Sequence, residues 1–234
     1  TLTATAATGT GTPTYSWVGP DGYNDASLTS SVSFTPSTTS ATGQYSLSVS
    51  YPGLGCTSAT VATSTVTVNA LPALAGVTAT PTALCEGSDI TLTAGTVTGT
   101  GTATYNWWGP DSYSNVTAAN TVTFTAATTN AGGTYSLTVT LPGDGCTSNM
   151  ATTSVTVNAL PVALTGTDVV CEQATTTLHT SETGTWASAD AGTASVDATG
   201  VVTGNTAGTT NIIFTLPTGC STQKQVTVNA LPAD

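Results

Sequence analysis

The sequence has almost no positive charge. Lys224 is its one basic residue, and twelve carboxylates against it leave a formal net charge of −11 over 234 residues. A chain so poor in cations cannot neutralise phosphates, which makes nucleic acid and anionic membrane poor partners. Charge of either sign is scarce, at 6% of the chain, while Thr, Ser, Ala, Gly and Val dominate. Disordered chains carry much charge and few β-branched residues, so this composition argues for a folded chain. Long apolar runs are also missing: none approaches the ~20 residues that cross a bilayer as a helix. No signal peptide is read at the start, since Thr1 already stands inside a repeating pattern. The carboxylates are scattered, and their plain reading is solubility.

Residues that carry chemistry are as scarce. His179, in TTLHTSE, is the one histidine, and a Ser/His/Asp arrangement needs a histidine that reaches a nucleophile. It reads as a solvent-facing residue at a strand edge. Asp21 and Asp25 are close in sequence, but a second copy of the same segment has Asp111 with Asn115, so a carboxylate pair is not maintained. No catalytic residue is assigned, and the chain is not read as an enzyme. Five cysteines, Cys56, Cys85, Cys146, Cys171 and Cys220, lack the close CxxC or Cys/His spacing that zinc needs. Wide spacing in small β domains reads instead as disulfides made in an oxidising compartment.

What the sequence does have is repetition. TLTATAATGTGTPTYSWVGPDGY at 1–23 returns as TLTAGTVTGTGTATYNWWGPDSY at 91–113, an offset of 90. The register holds onward, with Tyr45 on Tyr135 and Cys56 on Cys146. VTVNALP closes each unit at Pro72, Pro161 and Pro232, and the last two closures are 71 residues apart, so the third unit is a shorter and different module. Tyr135, Leu137, Val139 and Leu141 alternate with Ser136, Thr138 and Thr140, as a half-buried strand requires. Gly109-Pro110, Pro142-Gly143 and the NALP junctions punctuate such strands. No window carries a helical stripe. Short strands between Gly/Pro turns predict an all-β chain of sandwiches or small barrels.

The run YxWxGP…GxYxLxV…GCTS…VTVN, over residues 1–159, resembles the immunoglobulin-like repeats of long bacterial surface and gliding-associated adhesins. That resemblance implies that Trp17 and Trp107 are the core tryptophans of strand C, and that Tyr45 and Tyr135 are tyrosine corners at the start of strand F. Leu137 stands where the second cysteine of an antibody domain would be, so the usual inter-sheet disulfide is absent. GTWASADAGTASVDATGVVTGNTAGTTNIIFTLP, in the third unit, resembles the bacterial immunoglobulin-like type 2 module. In that family Val196 to Gly204 form a turn between two strands. The expected architecture is therefore tandem immunoglobulin-like β-sandwiches: an N-terminally incomplete repeat at 1–70, a repeat at 71–159, a type 2 domain at 160–230, and a linker or further repeat beginning at 231–234. One disulfide per complete unit would pair Cys85 with Cys146 and Cys171 with Cys220. Cys56 is then unpaired or bonded externally, since the counterpart of Cys85 at the 90-residue offset falls ahead of Thr1. The first unit lacks its opening strand, which either lies in sequence ahead of Thr1 or is supplied by a strand from another chain.

Three surface features remain. Asp89, Asp144 and Asp168 lie near predicted domain ends and are calcium candidates; with no DxDxDG loop, no cofactor is expected and calcium is the lesser alternative. Trp108 and Tyr113, beside Trp107, are the candidate contact aromatics, and alternation puts Trp108 on the face opposite Trp107. Asn115-Val116-Thr117 matches a glycosylation sequon. These readings point to a structural stalk or fibre segment of an extracellular bacterial surface or filament protein, whose partners are neighbouring repeats or copies of itself. The alternative is a carbohydrate- or protein-binding accessory module of a large secreted protein.

Overall fold

The computed structural model describes residues 1–126, 128–143 and 145–232. Asp144, one of the calcium candidates, and the last two residues lie outside the described residues. Among the described residues every regular element is a strand except three single-turn 3-10 segments, Thr39–Ala41, Pro52–Leu54 and Thr129–Ala131. The fold is all-β, in tandem immunoglobulin-like sandwiches. Thr and Val suit it because their branched side chains pack on a pleated surface while the Thr hydroxyl accepts water on the outer face.

The chain divides into two compact units. The first comprises Thr1–Ala73 with Thr98–Ala103 and Thr140–Ser148. Its main sheet runs in the order Asn24–Ser27, Thr14–Val18, Ser46–Tyr51, Cys56–Thr57, with Val61–Ala62 also on Ser46–Tyr51, and Leu2–Thr3 pairs with Ser31–Val32. Leu2, Tyr15, Trp17 and Tyr45 form the core. Leu47 and Val49 remain half-buried, facing an open cleft of about 710 Å³ whose lining also includes Ala4, Ala6 and Val61.

The second unit holds Leu74–Val97, Thr104–Val139 and the chain from Asn149 onward. Its first sandwich sets the strands Ala83–Cys85, Ala151–Asn158, Gly133–Leu141, Thr104–Trp108 and Ser114–Thr117 in one sheet, and Thr121–Ala126, Ser88–Ala94 and Val77–Thr80 in the other. Ile90, Leu92, Trp107, Tyr135, Leu137 and Val139 are fully buried. The Tyr135 hydroxyl donates to the Ala131 carbonyl at 2.6 Å, and Tyr45 does the same to Ala41 at 2.7 Å. A buried phenol needs such a partner. The Trp-Gly-Pro run has its own reason: a Cβ at Gly109 would run into the Tyr135 ring, so only glycine lets the chain pass the corner.

The second sandwich of this unit sets Thr165–Gly166, Thr175–His179, Val201–Gly204 and Ala194–Val196 in one sheet and Val169–Cys171, Ser221–Asn229, Gly208–Thr215 and Thr185–Ser188 in the other. Leu178, Val202, Ile212, Phe214, Val226 and Val228 fill its core, with Trp186 packed at the edge.

Trp107 has no exposed surface whereas the adjacent Trp108 is 45% exposed, because neighbouring strand residues point to opposite faces. Trp107→Ala is therefore expected to destabilise its sandwich by about 3–5 kcal/mol. Trp108→Ala should cost far less. Urea unfolding of both variants measures the difference, and equal losses would place the two rings on one face.

Candidate functional site

The residues that do something beyond packing gather where one sandwich of the second unit hands over to the next. Ala83–Cys85 runs parallel to Ala151–Asn158, with Cys85 opposite Asn158 at the exit end of the module. The Asn158 amide group donates to the Leu84 carbonyl at 3.3 Å, and the Asn158 carbonyl accepts from the Glu86 amide at 2.9 Å. The Glu86 carboxylate accepts the amides of Thr129 at 2.8 Å and of Leu160, inside NALP, at 3.4 Å. On the far side of the linker the Val162 amide donates to Glu182 at 2.8 Å. The linker is thus held by carboxylates at both ends.

Cys85 is bonded to Cys220, with Cα atoms 5.6 Å apart across 135 residues of sequence. This replaces the expected pairs Cys85–Cys146 and Cys171–Cys220. The reason lies in strand direction. Cys171 is opposite Asn229 at the last residue of the strand Ser221–Asn229, whereas Cys220 immediately precedes its first. At about 3.3 Å per residue those ends are about 26 Å apart, far beyond the ~7 Å that a disulfide allows between Cα atoms. Cys220 instead projects from the turn Leu216-Pro217-Thr218-Gly219, closed by the Gly219 amide on the Leu216 carbonyl at 2.9 Å, and its Sγ lies 3.9 Å from the Asn158 carbonyl. The sequence signal that could have found this is the matched placing of each loop cysteine after Leu-Pro or Tyr-Pro and a glycine. Cys56 and Cys171 carry exposed thiols.

The aromatic candidates separate. Trp108 is exposed, but Tyr113 stacks on Phe124 at 4.1 Å between ring centroids and meets Tyr135 edge-on at 5.7 Å. Tyr113 is thus half-buried where Trp108 is exposed. The Gly-Pro-Asp-Ser loop, with Asp111 at φ 54° and Ser112 at φ 59°, turns the chain back so that Tyr113 points inward. Tyr23 repeats the stack on Phe34 at 4.1 Å. Burial pushes the phenols of Tyr113 and Tyr135 above their ordinary value.

The carboxylates proposed for calcium have other partners: Asp89 accepts from the Thr125 hydroxyl at 2.6 Å, and Asp168 pairs with Lys224 at 3.5 Å. No cluster of three metal-ligating side chains occurs among the described residues. His179 is exposed at the end of Thr175–His179. Asp197 has a local task. Its Oδ1 accepts from the Thr199 hydroxyl at 2.8 Å and from the amides of Val201 at 2.9 Å and Thr199 at 2.8 Å, closing the hairpin between Ala194–Val196 and Val201–Gly204. The Thr199 hydroxyl first, then those amides, hold its carboxyl below the ordinary aspartate value of 3.8.

Residues 151–228 match the bacterial Ig-like domain (group 2). The match takes in the last strand of the second repeat and the sandwich that follows, so the immunoglobulin-like resemblance holds for that segment. No curated protein matches the sequence. Among solved structures, the C-terminal 282-residue fragment of intimin, in complex with the intimin-binding domain of the translocated intimin receptor, is similar with a TM-score of 0.42 and 19% identity over 67% of this chain; the chain spans 64% of that fragment. Extracellular domains 3–5 of Drosophila OTK give a TM-score of 0.35 and 17% identity, covering 95% of this chain and 86% of that one. The three N-terminal domains of the outer capsid protein Hoc of bacteriophage RB49 give 0.35 and 13%, covering 98% and 93%. At these scores the likeness adds nothing to the fold described above.

The bacterial Ig-like segment should show an acid limb set by Asp197. Its carboxyl is depressed in the folded state, so its contribution is present above the unfolded pKa and is lost as pH falls through the lower folded value. The stability gap between the parent protein and Asp197→Ala should therefore shrink as pH drops below the ordinary aspartate range, and a constant gap would contradict it. Urea titrations across that range measure this.

Cutting the Cys85–Cys220 bond should act on the junction and leave the cores intact. Closing a loop of this length is worth about 5 kcal/mol in the entropic account. Each flanking sandwich has its own core, so that term resists separation of the two. Cys220→Ser should accelerate proteolysis within residues 158–163 several-fold while tryptophan fluorescence stays native-like.

Proposed function

We propose that this chain is a stalk or fibre segment of an extracellular bacterial surface or filament protein, built from modules at 1–70, 71–159 and 160–230. The observation that carries this reading is the bond between successive modules. A disulfide from Cys85 to Cys220, beside a linker pinned by Glu86 and Glu182, stiffens the junction between modules. A hinge that must open around a ligand would be served by a Gly/Ser linker without such a bond. The disulfide and the match to a bacterial Ig-like domain support an extracellular or surface location, since such bonds persist in oxidising compartments. No helix among the described residues is long and apolar enough to cross a membrane. The scarcity of titratable side chains supports a non-enzymatic role, with neighbouring repeats or copies of the same protein as partners.

A second reading, a module that binds carbohydrate or protein, has one observation in its favour: Trp108, 45% exposed on the outer face of its sheet. Electron microscopy of the purified protein with a glycan and protein binding screen separates the two. Beaded rods of even spacing with no ligand found support the stalk. Isolated particles that retain a glycan, and lose it with Trp108→Ala, support the binding module.

A further inference from the structure

Cys171 stands in the third module where Cys85 stands in the second. Cys85 lies opposite Asn158 and Cys171 opposite Asn229, each on a short strand parallel to the last strand of its own module. The next residue is glutamate in both cases, and the amides of Glu86 and Glu172 each donate to the facing asparagine carbonyl at 2.9 Å. The two carboxylates also match: Glu86 accepts the Thr129 amide at 2.8 Å and Glu172 the Ala207 amide at 2.7 Å. Cys85 is bonded, and Cys171 carries an exposed thiol.

The other half of the bond has a recognisable frame. Each loop cysteine follows a glycine of positive φ, with Gly55 at 66°, Gly145 at 66° and Gly219 at 89°, and a proline lies three or four residues ahead of the cysteine. That backbone turns the thiol out of the loop, a conformation open to glycine at little cost. The Sγ of Cys220 lies 3.9 Å from the carbonyl of Asn158, and the Sγ of Cys146 lies 3.9 Å from the carbonyl of Asn69. Both asparagines belong to VTVNALP. A loop cysteine set against the asparagine of VTVNALP is thus a repeated contact, and Asn229 is the third asparagine of that kind. Cys56, exposed in Pro52-Gly53-Leu54-Gly55-Cys56, has the loop frame.

We propose that Cys171 is the open half of a second module-to-module disulfide, closed by the loop cysteine of a module seated against Asn229, and that the loop this chain itself offers is Cys56 of a second copy. An exposed thiol alone would say nothing. Here an equivalent pair in the same molecule is bonded, and each exposed thiol occupies one of its two positions. The halves differ, so the contact is head-to-tail and leaves one of each half exposed for the next copy. The chemistry needs a disulfide oxidant: one Cys171 thiol and one Cys56 thiol give up two protons and two electrons, the sulfurs join, and the oxidant's own disulfide is reduced to two thiols. This names a partner for the stalk reading and rests on it for its purpose. The bond is read by peptide mapping and the stalk by micrographs of the unlinked chain, so either fails without the other.

The test incubates the purified chain with oxidised glutathione, followed by non-reducing electrophoresis and peptide mapping. The expected result is a ladder of dimers, trimers and longer species carrying a Cys171–Cys56 peptide. Cys171→Ser and Cys56→Ser, both at exposed positions, should each abolish the ladder, while mixing the two variants should give dimers that go no further. The proposal is overturned if the chain stays monomeric with both thiols capped by glutathione. It is equally overturned if the ladder survives Cys171→Ser, or if the linked peptides join Cys171 to Cys171.

Discussion

The structure turns on a short parallel pairing. Residues 83–85 lie alongside 156–158, and residues 169–171 alongside 227–229. A parallel neighbour carries its cysteine toward the same end at which the last strand leaves the module. The loop cysteine sits before that strand begins, at the opposite end. Two thiols divided by the length of a sandwich cannot meet within it, so the bond must form between modules. The ordering of the linker follows from the same pairing, because it places Glu86 where its carboxylate reaches the Leu160 amide. One choice of strand direction thereby sets which cysteines bond, where the modules meet and how the four-residue linker is held.

With so little charge, electrostatics does little to hold the modules together. The ion pair of Lys224 with Asp168 is solvent-exposed enough to be worth no more than about 1 kcal/mol. Cohesion comes from buried aromatics and aliphatics, and the outer faces are tied by hydroxyls: Thr91 with Thr123 at 3.0 Å, Thr140 with Thr147 at 3.1 Å, Thr3 with Ser31 at 3.1 Å. These cross-strand contacts are individually small but insensitive to salt, unlike charge pairs. An acidic surface with almost no lysine also lacks a common guard against edge-to-edge strand pairing, which leaves short strands and mutual repulsion between copies to serve that purpose.

The fold was legible because its signals are local. Alternation over 135–141, the Gly-Pro turns and the 90-residue repeat each need only neighbouring residues to be read. The opposite faces of Trp107 and Trp108 follow from the two-residue period alone. What was not legible depends on ends and partners. Counting one cysteine pair per unit is satisfied as well by pairing across a junction as within a module, and only the parallel register decides between them. The stack of Tyr113 was not legible for a similar reason: its partner Phe124 lies on a strand of the facing sheet, and no local period brings the two together. The role of Asp197 is confined to one turn, where three donors converge on a single oxygen, and no sequence period marks it.

The junction bond also couples stiffness to location. A thiol pair in a reducing compartment stays open, and the Asn-Ala-Leu-Pro linker is then held without a covalent tie, by hydrogen bonds such as those of Glu86 and Glu182. Exposed hydrogen bonds of this kind are each worth roughly 0.5–1.5 kcal/mol, too little to hold two sandwiches in one orientation against the entropy of a free linker. Oxidation adds a constraint that a 135-residue separation makes large, because the loop it closes is long. In the setting proposed above, a reduced chain would travel as loosely joined modules and become rigid at the junctions only where an oxidant is present. The modules need no disulfide for their own cores, so folding and stiffening are separate events, and the second is the one that the environment controls.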